Sequence, residues 1–344
     1  MKKFFVLFAV LTAGMTISCN KAEIAFVEKE SVNEPTSSIM TKAVGEKEPT
    51  TFVYVETNDV NPLNALDYYL NDGGTFFDYV CMFAANVHKT TTVNNEVQPT
   101  LYLNPELCPY LCDNGSPITT YTEPFHDQDQ RVILGVLNDW QNFGLSTMNT
   151  TQQQQFAYIL CCVVTQCGFD GVLFDDEYSG TNTIVSGSYS GIIDWFKYYC
   201  PDKEVFVFDW GGTNYISSTA ASKIDYAHHG YFPNYLSYSY SNITGMNAAR
   251  WSPISINIGQ TYNNTYLNYF QSWAANAANN NYGQIMFFNL RSRCDVDPLP
   301  VLNKIAAGAG WDTPVTSTGG CRAPLSAVTG GCTITYDMAL NCCN

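Results

Sequence analysis

The chain has 344 residues, a formal net charge of −15 and only 16 lysine and arginine residues. This acidic balance argues against a nucleic-acid partner and against adsorption to an anionic membrane surface, since both attract basic proteins. The length is sufficient for one barrel-sized domain with extensions, which we expect to be a monomer.

The first 19 residues have the pattern of an export signal. Lys2-Lys3 precede the apolar stretch Phe4–Ala13, which is too short to span a membrane as a mature helix. The segment ending at Cys19 resembles a bacterial lipobox, so residues 1–19 are predicted to be a lipoprotein signal peptide with Cys19 as the lipidated residue. Since Thr16 replaces the usual leucine, an ordinary secretory peptide is the alternative. The protein is expected to be secreted, or held at the cell surface or on the periplasmic side of the outer membrane by its lipid.

Residues 20–50 are polar without sustained periodicity, which predicts a flexible linker. Removing Cys19 from the 13 cysteines leaves twelve, an even number in an oxidising compartment, so disulfides are expected without a defined pairing. Several of them crowd a C-terminal tail at residues 312–344. Cys81 and Cys161-Cys162 lie in strand-like and helix-like runs and are candidates for free core cysteines. No metal and no cofactor is predicted.

Residues 51–311 contain short apolar runs separated by longer connections. This pattern predicts a (β/α)8 TIM barrel, because buried parallel strands have near-continuous apolar sequences. The rival, a doubly wound sheet, would need a glycine-rich phosphate loop after the first strand, which is absent. The predicted strands are Phe52–Glu56, Tyr79–Ala85, Arg131–Leu137, Gly171–Asp175, Glu204–Phe208, Asp225–Ala227, Ile254–Ile258 and Gln284–Phe288. The predicted helical stretches are Pro62–Leu70, Thr151–Gln166, Ser190–Tyr199, Tyr266–Ala277 and Pro298–Ala307.

Polar and aromatic residues follow nearly every predicted strand. The carboxyl ends of barrel strands meet at one rim, where barrel enzymes have their active sites. Any one of these residues is more often a capping residue than a ligand contact, but the full ring favours a polar ligand. The predicted substrate contacts are Glu56, Asn86, Asn138, Asp209, Trp210, His229, Asn257 and Asn289.

The segment from Gly168 to Tyr178 carries three consecutive acids directly after an apolar run. Because alternate strand residues share a face, Leu173, Asp175 and Glu177 point one way and Asp176 points the other. Two nearby carboxylates over an apolar floor do not both ionise easily, so one is expected to hold a proton near neutral pH. This arrangement suits acid catalysis, whereas a solvated loop start or a cation site is the alternative for a bare acidic run.

The pattern that begins at Asp170-Gly171 and ends at Asp175 and Glu177 resembles the D-G-x-x-x-D-x-E signature of glycoside hydrolase family 18. Other segments are similar to the bacterial endo-β-N-acetylglucosaminidases of the endoglycosidase F and H branch, and together they cover roughly Phe52 to Ala307. These segments are Tyr54–Asn58, Asn61–Asn64, Phe83–Asn86, Val132–Leu137, Asp175–Tyr178, Asp225–Ala227 with Tyr231, and Tyr282-Gly283.

The resemblance implies hydrolysis of the GlcNAc-β1,4-GlcNAc core bond of N-linked glycans on glycoproteins, of the high-mannose or hybrid class. It implies substrate-assisted retaining catalysis, an exception to the scheme with an enzymatic nucleophile. Glu177 would be the general acid and then the general base. Asp175 would orient the substrate acetamide, and Tyr231 would hydrogen-bond the acetamide carbonyl.

Three positions depart from the family pattern. Leu173 stands where many chitinases have an aspartate, the segment Asn138–Trp140 differs from the Asn-His of this branch, and His229 replaces a Gln or Asn. One alternative is therefore a non-catalytic surface glycan-binding protein on a family 18 barrel. A chitinase-like hydrolase is a second alternative, which is disfavoured because Phe288-Asn289 stands where chitinases have a tryptophan.

Overall fold

The structure, a computed structural model, describes residues 47–108, 112–113, 116–117, 121–139, 142–178, 184–230, 235–236, 243–325 and 330–343. The predicted signal peptide with Cys19, most of the predicted linker, Trp140 and Tyr231 lie outside these ranges. Within them, no helix has both the length and the apolar character that a membrane span requires.

The secondary structure alternates between strands and helices along most of the chain. The strands are β1 (Thr50–Glu56), β2 (Tyr68–Tyr69), β3 (Tyr79–Thr91), β4 (Val97–Leu103), β5 (Cys112–Asp113), β6 (Ser116–Pro117), β7 (Arg131–Asn138), β8 (Gly171–Asp175), β9 (Glu204–Asp209), β10 (Tyr226–His229), β11 (Tyr235–Leu236), β12 (Trp251–Ser252), β13 (Ile254–Asn257), β14 (Gln284–Phe288), β15 (Thr316–Ser317) and β16 (Cys332–Thr335). The α-helices are α1 (Glu123–His126), α2 (Thr150–Gln166), α3 (Ser188–Tyr199), α4 (Ser218–Ala221), α5 (Asn264–Asn279), α6 (Leu299–Ala309) and α7 (Tyr336–Cys343), and 3-10 helices lie at Pro62–Asp67, Gly211–Tyr215 and Ala248–Arg250.

The principal sheet curls into a nearly closed parallel barrel. The parallel neighbours run β13, β14, β1, β3, β7, β8, β9, β10 and β12. Only Pro253 separates β12 from β13, and proline has no backbone N–H for the ladder. Residues 251–257 therefore act as one interrupted strand, which pairs with β10 through its first half and with β14 through its second. The predicted (β/α)8 barrel is confirmed.

The predicted strands agree closely with the observed ones, and Gly171–Asp175 and Gln284–Phe288 have the predicted bounds. Strand β3, which corresponds to the predicted strand Tyr79–Ala85, is longer than predicted. It continues to Thr91 and turns back through β4 as an antiparallel hairpin. The prediction stopped at Ala85 because the following residues are mostly polar, whereas in the hairpin only one face is buried.

A layer of large apolar side chains fills the inside of the barrel. Gly135 on β7 makes room for this layer, because a Cβ there would lie 2.7 Å from the Phe83 ring and 3.1 Å from Cys81 Sγ. The interior is a packed core, as is usual for this architecture. Its buried members are Phe52, Tyr54, Tyr79, Cys81, Ile133, Leu173, Phe206, Phe208 and Met286.

Disulfides and strand pairing connect the C-terminal segment to the barrel. Cys108 is bonded to Cys332, and β16 pairs antiparallel with β4 at the edge of the hairpin. Cys294 is bonded to Cys321.

Two further disulfide cysteines lie in α2. Cys161 is bonded to Cys200 at the end of α3, and Cys162 is also in a disulfide. The proposal that Cys161 and Cys162 are free core residues is therefore wrong, because α2 brings Cys161 against the end of α3. Cys81 is buried and free.

Candidate active site

Asp175 is the last residue of β8 and is directed into the mouth of the barrel. It pairs in register with Leu137 on β7 and Phe208 on β9, and its side chain is only 3% exposed. Among the described residues, its Oδ1 atom has no hydrogen-bond partner. Burial, followed by the charges of Glu177 and Asp176, raises the pKa of Asp175 well above the usual range, although the Glu177 backbone N–H opposes this shift.

Glu177 lies in the turn that follows β8 and is partly exposed. Partial burial raises the pKa of its carboxyl, and a hydrogen bond with the Tyr178 side chain acts in the opposite direction. A carboxylic acid with a raised pKa that is open to solvent on one side is suited to deliver a proton and then accept one. Two residues before Asp175, Leu173 is fully buried in the barrel interior.

Asp176 faces away from the mouth and anchors the turn that carries the acid pair. Its carboxylate accepts hydrogen bonds from Asn138 Nδ2 and Ser146 Oγ, and from the Gly212 backbone N–H at 2.8 Å. Asn138 is itself buried, and its Oδ1 accepts from the Leu145 N–H at 2.9 Å. The structure therefore places Asn138 behind Asp176, as a residue that positions the acid segment, and not on the open rim where a substrate contact was predicted.

Two glycines after β9 allow the backbone to approach Asp176. Gly211 has φ +63°, and a Cβ there would lie 2.0 Å from the Asp176 carbonyl oxygen. A Cβ on Gly212 would lie 1.9 Å from Ser146 Oγ and 2.3 Å from Asp176 Oδ2. This anchor was not predicted from the sequence, although a Gly-Gly pair directly after the rim residue Trp210 is a visible signal.

Exposed aromatic rings lie in the loops that follow β8 and β9. Tyr178, Trp210 and Tyr215 are each close to half exposed. Asp209 is different, because it is buried and accepts a hydrogen bond from Thr213 Oγ1 at 2.6 Å. Of the two adjacent residues predicted to bind substrate, the structure thus exposes Trp210 and uses Asp209 to hold its own loop.

Asn257 and Asn289 meet at the ends of β13 and β14. Asn289 Nδ2 donates to Asn257 Oδ1 at 3.0 Å, and the Gly259 N–H donates to the same oxygen at 2.9 Å. Beside them, Glu56 Oε2 lies 3.9 Å from Arg291 Nη2. The Arg291 guanidinium also pairs with Asp59, which follows β1. Arg291 was not singled out in the sequence, since it follows the last strand by several residues.

The two histidines of β10 have different environments. His229, the predicted substrate contact, is partly exposed next to Trp251, and burial lowers its pKa. His228 is fully buried inside the barrel, where its Nδ1 lies 2.8 Å from the Tyr54 hydroxyl. The inward position of His228 was not predicted, because adjacent histidines at a strand end do not reveal which one faces inward.

Asn86 lies on β3 opposite Tyr102 of β4 and Leu137 of β7, and it is partly exposed. The structure therefore places Asn86 where the hairpin leaves the barrel wall.

Tyr231, the third predicted catalytic residue, lies outside the described residues. Within the described ranges, no three His, Cys, Asp or Glu side chains are arranged to hold a metal ion.

Similarity to known proteins identifies the family. The chain is 31% identical to the endo-β-N-acetylglucosaminidase of Flavobacterium sp. (strain SK1022) over 265 residues, which are 73% of this chain and 77% of the relative. This chain belongs to the endo-β-N-acetylglucosaminidases of glycoside hydrolase family 18. It is also 30% identical to endo-β-N-acetylglucosaminidase F1 of Elizabethkingia meningoseptica over 198 residues, 54% of this chain and 56% of that enzyme. No family model matches the chain.

Solved structures agree with this family at the level of the fold. EndoBT-3987 of Bacteroides thetaiotamicron, solved with a Man5GlcNAc product, superposes with a TM-score of 0.61 at 23% identity and covers 86% of this chain and 67% of its own. The same enzyme in complex with a Man9GlcNAc2Asn substrate gives a TM-score of 0.61 at 24% identity, with 86% of this chain and 72% of that chain covered. The family predicted from the acid segment is confirmed, and the chain is a glycoside hydrolase.

Proposed function

We propose that this enzyme hydrolyses the GlcNAc-β1,4-GlcNAc bond in the core of N-linked glycans and leaves one GlcNAc on the asparagine. The observation that carries this proposal is the acid pair at the barrel mouth, with Asp175 buried and Glu177 partly exposed. Both have raised pKa values. Such a pair, in a chain of this family, is suited to substrate-assisted cleavage of a GlcNAc bond.

Glu177 would first act as the general acid. Its proton moves to the glycosidic oxygen, so that the bond from this oxygen to the anomeric carbon breaks and the asparagine-linked GlcNAc leaves as an alcohol. The resulting carboxylate then removes a proton from water as that water attacks the anomeric carbon. The partial exposure of Glu177 supports this role, because it gives water and the leaving group access to the same oxygen.

The nucleophile would be the acetamide carbonyl oxygen of the substrate, held beside the anomeric carbon. Its attack forms a cyclic oxazolinium ion, and water later reopens the ring with net retention of configuration. An ionised Asp175 would accept a hydrogen bond from the acetamide N–H and stabilise the positive charge. Tyr231 would hydrogen-bond the acetamide carbonyl, as the family pattern implies.

The glycan would be of the high-mannose or hybrid class, with sugar rings stacked on the exposed faces of Tyr178 and Trp210. Stacking suits the apolar faces of hexoses, and Glu56, Asn86 and the Asn257–Asn289 pair would supply polar contacts on other sides of the rim. The complexes of EndoBT-3987 with Man5GlcNAc and Man9GlcNAc2Asn support this choice of substrate.

A glycan-binding protein without turnover is a second candidate, favoured by Leu173, which puts an apolar side chain under the acid pair. A panel of high-mannose, hybrid and complex N-glycopeptides and chitin oligosaccharides tests both. We expect cleavage of the first two classes between the core GlcNAc residues. Binding of the glycopeptides without any cleavage would support the second candidate, and cleavage of chitin oligosaccharides alone would favour a chitinase.

We further propose that the enzyme is a monomeric lipoprotein of the outer membrane, held through Cys19 and a linker that ends near residue 50. The basic and apolar pattern of residues 1–19 supports this proposal. Cys19→Ser should abolish incorporation of labelled palmitate and release the protein from the membrane fraction. Equal labelling of the wild type and the variant would contradict it.

A further inference from the structure

A chain of hydrogen bonds runs inside the barrel from the start of β14 up to Tyr54. The Tyr54 hydroxyl lies 2.8 Å from His228 Nδ1, and His228 Nε2 lies 2.5 Å from Gln284 Oε1. Gln284 Nε2 donates to Thr50 Oγ1 at 3.2 Å, and Thr50 Oγ1 donates to the Gly283 carbonyl at 3.0 Å. The side chains of this Tyr54–Gly283 chain are buried, so protein groups and not solvent determine where each proton lies.

The chain has a direction. Thr50 Oγ1 donates to the Gly283 carbonyl, which can only accept, and it accepts from the Gln284 amide; the Tyr226 hydroxyl also bonds this Thr50 hydroxyl. The Gln284 carbonyl must then accept from His228, which places the His228 proton on Nε2 and leaves Nδ1 as an acceptor for the Tyr54 hydroxyl. Burial keeps His228 neutral by lowering its pKa to about 3. Tyr54 thus donates its proton away from the acid pair.

Tyr54 lies within electrostatic reach of the acids. Its ring centroid is 6.3 Å from that of Phe208, the register partner of Asp175, and the charges of Asp175 and Glu177 raise its pKa. Among the described residues, the ionisable groups coupled to Asp175 are all acids. They are Glu177, Asp176 and Tyr178 beside it, Tyr54 on β1, Cys81 on β3 and Tyr189 on α3.

We infer that Tyr54, His228 and Gln284 are positioning residues that keep the proton on Asp175 while the site is empty, because they turn the proton of the Tyr54 hydroxyl away from the acid pair and leave an oxygen lone pair toward it. The consequence for catalysis rests on the proposed function. Asp175 releases its proton to solvent and becomes a carboxylate only when a substrate supplies the acetamide N–H and the positive charge that compensate it. Among the described residues, the buried side chains of the barrel interior around Leu173 are uncharged, and the neutral Tyr54–Gly283 chain lies among them.

The tautomer of His228 is the first test. Two-bond ¹H–¹⁵N correlation spectra distinguish protonated from unprotonated ring nitrogens, and the chain has only four histidines to assign. We expect a neutral His228 with its proton on Nε2 throughout pH 5 to 8. A proton on Nδ1, or a His228 that titrates near the usual 6.5, would overturn the inference.

Reversal of the chain is the second test. In Gln284→Glu, a carboxylate replaces the amide oxygen that accepts from His228, and this negative charge favours the His228 imidazolium. The imidazolium Nδ1–H then donates to the Tyr54 oxygen. The Tyr54 hydroxyl proton therefore turns toward the acids. We expect the ¹³C titration midpoint of the Asp175 carboxyl, assigned by its loss in Asp175→Asn, to fall by about one pH unit.

Gln284→Met is the matched control, because it cuts the chain without adding a charge. An equal fall in Gln284→Met, or no fall in Gln284→Glu while its His228 is an imidazolium, would overturn the inference. If Gln284→Glu does not fold, the tautomer of the wild type decides alone. Neither readout requires turnover, so an enzyme that cleaves no N-glycan would contradict the proposed function and leave this inference standing.

Discussion

Asp175 and Asp176 are adjacent in sequence but occupy opposite environments. Asp175 has an oxygen without a hydrogen-bond partner among the described residues, whereas Asp176 accepts from two side chains and a backbone N–H. Strand alternation predicted that the two would face opposite ways. It did not predict that the buried Asp176 would hold the turn in place, because its three donors come from distant parts of the chain.

Substitution of each aspartate by asparagine should change stability in opposite directions. The folded-state pKa of Asp175 is raised above that of the unfolded chain, so burial of this carboxyl destabilises the fold at pH 7, and Asp175→Asn should increase the free energy of unfolding by on the order of 1 kcal/mol. This gain should shrink as the pH falls toward about 4, where the unfolded carboxyl is also protonated. Asp176→Asn, the matched change, should cost about 2–4 kcal/mol because an amide N–H would face a donor. Urea unfolding measures both, and a loss of stability in Asp175→Asn would contradict this account.

The pH dependence of cleavage should report Glu177. The general acid must carry a proton, so kcat/KM should fall as the pH rises through the Glu177 pKa, with a midpoint above the usual value of about 4.5. The Tyr178 hydrogen bond lowers this pKa, so Tyr178→Phe should move the midpoint to higher pH while it keeps a ring for stacking. A downward shift in this variant would show that another group limits the rate at high pH.

At the scale of elements, the barrel strands were predictable because each is a short apolar run buried on both faces. The β3–β4 hairpin was not, since only one face of it is buried. Similarly, sequence alone could place acids, amides and histidines at strand ends but not assign their inward or outward direction. Asn138, Asp209 and His228 show this limit, because side-chain direction at a strand end depends on loops packed around it.

The loop after β9 should tolerate no side chain at Gly212. Gly212→Ala would place a Cβ against Ser146 and Asp176, which are both held in place, and should cost about 2–4 kcal/mol of stability. Gly320→Ala is the control, because a Cβ there has no atom within 4 Å. Thermal unfolding of both variants measures the difference, and equal melting temperatures would indicate that Gly212 does not lock the acid turn.

At the scale of the whole molecule, disulfides link segments that are far apart in sequence. Cys108–Cys332 closes a separation of 224 residues, and Cys294–Cys321 closes one of 27. Cysteine spacing predicted disulfides near the C-terminus but not their partners, because the pairing depends on how β16 docks on β4.

Removal of each disulfide should therefore have unequal effects. The chain-entropy relation gives losses of about 5 kcal/mol for Cys108→Ser with Cys332→Ser, and about 3.5 kcal/mol for Cys294→Ser with Cys321→Ser. Calorimetry of the two double variants tests this ranking. A larger loss for the shorter loop would show that local contacts, and not the constraint on the unfolded chain, determine the contribution.

Glu177 is assigned acid–base catalysis on an N-glycan core. This role is tested most directly by incubating a Man9GlcNAc2 glycopeptide with the wild type, with Glu177→Gln, and with Glu96→Gln, the same change at an exposed position between β3 and β4. Mass spectrometry should show a peptide with one remaining GlcNAc, formed about 100- to 10,000-fold more slowly by Glu177→Gln alone, while calorimetric binding of the glycopeptide is retained. Cleavage by Glu177→Gln at the wild-type rate, or binding without cleavage by the wild type, would contradict the account.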